Sequence, residues 1–382
     1  MSTQMPPSPA RRDGLAVTLV VEQLRRAVPG GIGSYARGLL KGLAELAPGA
    51  RPRLTLLASR PVSRPDPLLE LGYPVTASRL PAAAATRLWH AGLLSLKGPG
   101  DVVHAVSTGV PRVHGPRLVA TVHDLAWRVL PDAYPARGRK WHEAALHHVS
   151  SRAAHVVVPS DATANALLRA GVGIGPDRVT VIHEGSDLLP EPDDGATEAL
   201  LASLGVDGPY LLSVSTLEPR KNLRRLIESY GLARPKLPGP WPLVVVGPKG
   251  WGSELSGTEP GVVLAGRVRD EVLAGLYRRA RCVAYVPLLE GFGLPVAEAM
   301  AAGVPVVASR VPAGGDATLE VDPLDRSSIA DGILVAALDE AARSELAGRG
   351  AIRAAELSWA DTARRHVELW ADVAGHSRGS PR

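Results

Sequence analysis

A chain of 382 residues with 45% hydrophobic and 21% charged residues is too long for one ordinary domain and too apolar for global disorder, so two cores are expected. The net charge of +5 hides an uneven spread, with 22 Lys/Arg against 12 Asp/Glu in residues 1–185 and 21 against 26 in the remainder. The cations are dispersed without interleaved aromatics, which argues against a nucleic-acid partner, and a single cysteine, Cys282, excludes an intramolecular disulfide.

Residues 1–14 are rich in Pro and Ser and read as disordered. The apolar run behind them is too short for a signal peptide, and no stretch reaches the ~18–20 apolar residues that span a bilayer. With the lone thiol, this leads us to expect a cytoplasmic protein. Then short Val/Leu-rich runs alternate with segments of helical spacing. "LAVTLVV" (15–21), "RLTLLAS" (53–59), "DVVHAVS" (101–107), "RLVATVHD" (117–124) and "HVVVPS" (155–160) predict buried strands, with helices between them. The βαβ progression predicts an α/β domain with a parallel sheet over residues 15–185. An acidic, Pro/Gly/Asp-rich stretch, 186–208, reads as a linker. A second βα series over 209–355 begins at "YLLSVS" and includes "PLVVVGP", "GVVLAGRV", "CVAYVP" and "VPVVAS". A helix over 356–375 closes the chain and is expected to pack back on the first domain.

Ligands of open parallel sheets sit beyond the carboxyl ends of the strands, and the motifs fall there. The first is "PGGIGSYARGLL" (29–40), where glycines opening a helix offer backbone N–H groups to a phosphate. Gly31 to Ala36 also fits the dinucleotide fingerprint, which makes an NAD(P)-dependent oxidoreductase a rival reading. "EQLRRAVP" stands where that fingerprint wants a tight turn, and no acidic residue follows the second strand. Next, "VATVHDLAW" (119–127) sets His123 and Asp124 at a strand end, with His123 as a neutral hydrogen-bonding group. The histidines of "HEAALHH" (142–148) lack a matching ligand partner, so no metal site is expected. In "STLEPRKN" a strand end delivers Arg220 and Lys221 beside a helix start, where they can clamp a diphosphate. Last, "LLEGFGLPVAEAMAAGVPVVAS" sets Glu290 and Glu298 on either side of a glycine turn. Carboxylates there can accept sugar hydroxyls at both ends of a nucleotide sugar. Acid/base pairing, as in glycoside hydrolysis, is the alternative use.

These motifs, in this order, resemble the retaining GT-B glycosyltransferases of glycosyltransferase family 4, over roughly residues 15–375. "STLEPRKN" and "TVHDLAW" are similar to those of the mannosyltransferase-like members that build bacterial polysaccharides. The resemblance implies two Rossmann-like, doubly wound domains facing a cleft, with no cofactor beyond a nucleotide-sugar co-substrate and no metal. It implies that His123 and Glu290 act at the transferred sugar, and that Gly30, Gly31, Arg220 and Lys221 hold the diphosphate. It also assigns Phe292, Gly293 and Leu294 to the phosphates or sugar by their backbone, Glu298 to the ribose and Val268 to the base. GDP-mannose is the first expectation for the donor. The acceptor is expected to be a glycan or a polyprenyl-diphosphate-linked sugar, and the basic first half suits peripheral contact with an anionic membrane. Two departures stand out. Ser215 occupies a position where some relatives have arginine, and the loop after Ser309 is shorter than usual. A non-catalytic homologue acting as a scaffold therefore stays open beside the oxidoreductase.

Overall fold

The computed structural model describes residues 14–61, 65–90, 95–97, 100–239, 241–250 and 259–376. The expected disorder of residues 1–14 thus lies, save for Gly14, outside the described residues. The first half builds a seven-stranded parallel sheet from β1 (Ala16–Val20), β2 (Arg53–Ala58), β3 (Val75–Ala77), β4 (Val102–Ala105), β5 (Arg117–Thr121), β6 (His155–Val158) and β7 (Val179–Val181). Their spatial order is β3-β2-β1-β4-β5-β6-β7. The second half repeats the plan with β8 (Leu211–Val214), β9 (Leu243–Val246), β10 (Val262–Gly266), β11 (Cys282–Tyr285), β12 (Val306–Ala308) and β13 (Leu319–Glu320), ordered β10-β9-β8-β11-β12-β13. Every strand pair in both sheets is parallel.

Winding reverses between β1 and β4 in the first sheet and between β8 and β11 in the second. The loops leaving those strands diverge, and a crevice opens between them. The central strands are buried on both faces, which explains their unbroken apolar runs. Cys282 lies fully buried in β11. Within these two sheets the strands not anticipated from sequence, β3, β7 and β13, are short and only partly buried, so they carry little apolar signal. The stretch read as a linker contains a helix, Asp194–Ser203, whose N-terminus is capped by Asp193 accepting from the Ala196 N–H at 2.9 Å. It packs on the helix Asp270–Arg279, where Gly275 faces Thr197 without room for a Cβ.

The "EQLRRAVP" insertion is an anchored spacer. Glu22, in a short 3-10 helix, accepts from the backbone N–H and hydroxyl of Ser59 at 2.6 and 2.8 Å. Arg25 makes a buried ion pair with Asp66 and donates to the Ser59 carbonyl. These contacts hold the segment that leads into the helix Gly30–Glu45.

The last helix, Trp359–His376, lies on Gly30–Glu45. Gly38 and Gly185 face the indole of Trp359 and Gly42 its backbone, and a Cβ on any of them would overlap it. A single file of buried hydrogen bonds ties this helix to the first sheet. Trp370 Nε1 donates to His104 Nδ1 at 3.1 Å, so His104 carries its proton on Nε2 and donates to Thr121 Oγ1 at 2.8 Å. His366 Nδ1 donates to the Thr362 carbonyl at 2.7 Å, which leaves its Nε2 to accept from Tyr35 Oη at 2.9 Å. Tyr35 then accepts from Thr121 at 3.1 Å. Trp370 only donates, and His104, Thr121, Tyr35 and His366 each give one proton and take one, so the file is satisfied with both imidazoles neutral. Burial pulls both histidines down, His366 to about 4.

Candidate functional site

One cleft of about 740 Å³ opens between the carboxyl edges of the two sheets. Every site residue expected from sequence lines it: Gly30, Gly31, His123, Arg220, Lys221, Val268, Glu290, Phe292, Gly293, Leu294 and Glu298. Gly30 and Gly31 form the first turn of Gly30–Glu45, and Gly30 adopts φ +61°, which favours glycine. Nine residues separate this turn from the end of β1, so the tight turn of a dinucleotide fingerprint is absent.

The second half supplies the charged floor. β8 runs into Ser215–Lys221, and Arg220 donates to Glu290 Oε1 at 2.7 Å, to Glu218 Oε1 at 2.9 Å and to the Leu289 carbonyl at 3.1 Å. Asp124, reaching across from the first half, lies 3.7 Å from the same guanidinium. Lys221 donates to Glu290 Oε1 and, at 2.8 Å, to Tyr285 Oη. Burial pulls the Lys221 ammonium down, with Glu290 opposing. For Arg220 the surrounding carboxylates outweigh burial and hold it well above its ordinary value. Two buried polar atoms of this floor, Ser215 Oγ and Arg220 Nε, have no partner. Such unpartnered polar atoms are rare in a protein interior.

After β11 the chain makes the glycine turn. Gly293 caps the helix Leu294–Ala301 at φ +105°, and a Cβ there would crowd Val311 from the short loop after Ser309. That loop also donates from the Ala313 N–H to the Phe292 carbonyl at 2.9 Å, so it seals the back of the turn. Phe292 is buried and lines the cleft, its ring centroid 6.1 Å from that of His183. Glu298, one turn into the helix, accepts from Tyr277 Oη at 3.0 Å. Burial pushes its carboxyl up to about 7, against the Tyr277 hydrogen bond.

A carboxylate raised from 4.5 to about 7 costs roughly 3 kcal/mol of stability once ionised in the fold. The cost is full above the folded value and vanishes below the unfolded one. Glu298→Gln is therefore expected to be more stable than wild type by up to about 3 kcal/mol at pH 8, the gap closing between pH 7 and 4.5. Urea unfolding at pH 8 and pH 4.5 measures it, and an equal difference at both would refute the assignment.

The first half meets this floor directly. A Cβ on Gly291 would overlap the His123 carbonyl, and Ser160 Oγ donates to the Gly291 carbonyl at 2.7 Å. Arg37 pairs with Asp270 at 2.7 Å across the cleft. His123, expected as a neutral hydrogen-bonding group, has an oxygen beside each ring nitrogen. Its Nε2 lies 2.9 Å from the Val106 carbonyl and its Nδ1 3.3 Å from Glu184 Oε1, so both nitrogens face acceptors. Burial alone would lower it, but Glu184 and Val106 outweigh burial and the imidazole is raised. Glu184, buried at the end of the unanticipated β7, was missed with its strand; "VTVIHEG" read as strand would have found it. Glu218, Tyr277 and Ser160 carried no signal of their own. Among the described residues no helix is long and apolar enough to cross a membrane, and no cluster of three or more His, Cys, Asp or Glu could hold a metal.

Residues 29–188 match the family described as "Glycosyltransferase Family 4" and residues 208–344 that described as "Glycosyl transferases group 1". The chain is 32% identical over 267 residues to O-antigen chain mannosyltransferase B of Escherichia coli, covering 66% of this chain and 70% of that protein. It is 32% identical over 292 residues to a D-inositol 3-phosphate glycosyltransferase of a Nocardioides species, covering 69% and 62%. The match to the serotype-specific mannosyltransferase WbdA of Escherichia coli, 26% over 239 residues, spans only 28% of that protein. Among solved structures, Anabaena HepE in complex with UDP and glucose superposes with a TM-score of 0.71 at 19% identity, over 94% of this chain and 100% of that one. WaaG, a glycosyltransferase of lipopolysaccharide biosynthesis, gives 0.63 at 14%, over 93% and 99%.

Proposed function

Since the chain belongs to glycosyltransferase family 4 and has the GT-B architecture, we propose that it transfers mannose from GDP-mannose, with retention and without a metal, to a glycan or polyprenyl-diphosphate-linked acceptor in cell-surface polysaccharide synthesis. The observation that carries this reading is the Arg220–Lys221–Glu290 cluster at the cleft floor, with Arg220 Nε and Ser215 Oγ unpartnered beside it. In the free protein Glu290 balances the two cations. The donor diphosphate takes over that balance, and the released carboxylate accepts hydroxyls of the sugar. Gly30 and Gly31 add N–H groups to the diphosphate, as do Gly293 and Leu294 at the second helix start. Phe292 contributes backbone, Glu298 holds the ribose and Val268 borders the base. His123, held by Glu184, lies against the transferred sugar.

The acceptor hydroxyl oxygen bonds to the anomeric carbon on the face from which the phosphate departs. The carbon–phosphate-oxygen bond breaks, and the departing oxygen takes the hydroxyl proton. Arg220 and Lys221 stabilise the charge that collects there. The mannosyltransferase relatives favour mannose, and the basic first half favours work beside an anionic membrane. The family match removes the oxidoreductase as the leading alternative.

A thermal-shift panel of GDP-mannose, UDP-glucose, UDP-GlcNAc, dTDP-rhamnose, NADH and NADPH, with EDTA present, tests the reading. A ligand at 100 times its dissociation constant adds about 2.7 kcal/mol. GDP-mannose alone is expected to raise the midpoint, with NMR showing an α-linked product. A shift only with NADPH, or silence throughout, would overturn it.

A further inference from the structure

Among the described residues, the wall of the cleft opposite the charged floor contains one buried polar atom without a partner, His142 Nδ1. His142 projects from the helix Ala136–Arg152 and is clamped by rings. Trp127 stacks on it at 4.6 Å between centroids and 13° between planes, and Tyr134 meets it edge-on at 5.7 Å. Trp127 is fixed in turn by donating from Nε1 to Glu143 at 2.7 Å. The imidazole cannot turn away to find water without breaking this stack. Asp124 stands on the same wall, its Oδ1 holding the Ala126 N–H at 2.9 Å. Arg128, next to Trp127 in the chain, is taken up by Glu143 and the Ala170 carbonyl.

We propose that Tyr134, His142 and Asp124 form the subsite for the acceptor's terminal sugar, and that this sugar is an uncharged pyranose whose hydroxyl meets His142 Nδ1. The inference rests on the glycosyltransferase reading above, which gives the opposite floor to the donor. Aromatic edges suit the C–H faces of a sugar ring, and a carboxylate and an imidazole suit its hydroxyls. Burial keeps His142 below its ordinary value and hence neutral at pH 7, free to give or take one hydrogen bond. A phosphorylated terminus would meet the carboxylates of Asp124 and Glu143, and the cation beside Asp124, Arg220, is committed to Glu290 and Glu218 on the donor floor, so the subsite selects against it. Any diphosphate of a lipid-linked acceptor must then lie further out.

Saturation-transfer NMR with methyl α-D-mannopyranoside and glycerol 3-phosphate as probes, with and without GDP, tests the subsite. The wild type is expected to bind the mannoside and not the phosphate. His142→Phe, which keeps the stacked ring and removes the nitrogen, should weaken mannoside binding about tenfold. His142→Asn, whose amide reaches the Nδ1 position, should recover most of it, with melting midpoints and GDP binding matching wild type in both. In the wild type the mannoside should also shift the His142 ring ¹⁵N resonance, a readout that survives a variant failing to fold. Equal mannoside binding in His142→Phe, preference for glycerol 3-phosphate, or an unmoved His142 resonance would overturn the proposal. Failure of the glycosyltransferase reading would show separately, as no shift of the wild-type midpoint with any nucleotide sugar.

Discussion

Arg220→Ala is expected to lower sugar transfer by about 10²–10³-fold, through kcat more than through donor KM. The guanidinium touches Glu290, Glu218 and the Leu289 carbonyl within 3.1 Å and faces Asp124 at 3.7 Å. Without it three carboxylates confront one another with only Lys221 to balance them. A diphosphate entering that floor meets excess negative charge, and the loss grows as more charge collects on the departing oxygen. The same change leaves buried carboxylates unpaired, so stability should fall by about 3–5 kcal/mol in the absence of ligand. Arg220→Lys should fall between, because an ammonium cannot span Glu290 and Glu218 as a planar fork does. Steady-state kinetics and urea unfolding on the two variants separate the effects. A loss of stability with kcat intact would remove Arg220 from the phosphate clamp and leave it a structural ion pair.

Trp359→Ala is expected to destabilise the protein by about 3–5 kcal/mol, the range for emptying a large buried aromatic site. Its indole is fully buried against Gly38 and Gly185, and Gly42 faces its backbone. Because those positions are glycine, they offer no side chain to fill the cavity. The effect should reach the cleft. The final helix is joined to the first sheet through His366, Tyr35, Thr121 and His104, and the Tyr35 ring meets His123 edge-on at 4.8 Å. Activity at 25 °C should therefore drop along with the urea midpoint. A change below 1 kcal/mol would mean that the last helix is only loosely docked.

The strands with unbroken Val/Leu runs, such as β8, β9 and β11, were legible because burial on both faces removes any need for polar residues. The edge strands β3, β7 and β13 were not, since a short, half-covered strand has no distinctive pattern. The loss of β7 hid Glu184, and with it the carboxylate partner of His123. The helix Asp194–Ser203 was hidden by its own cap, whose Asp, Gly and Pro neighbours read as linker.

The sequence by itself determined the two parallel sheets, the strand-end position of the last three motifs and the membership of every expected site residue in one cleft. Those properties follow from local periodicity and from the rule that chain reversal opens a crevice at strand ends. Only the tertiary structure decided the pairings: Glu290 with Arg220 and Lys221, Glu298 with Tyr277, His123 with Glu184, and Trp359 seated on three glycines. Each joins residues distant in the chain, and the protonation state of a buried group depends on which charge lies beside it in space.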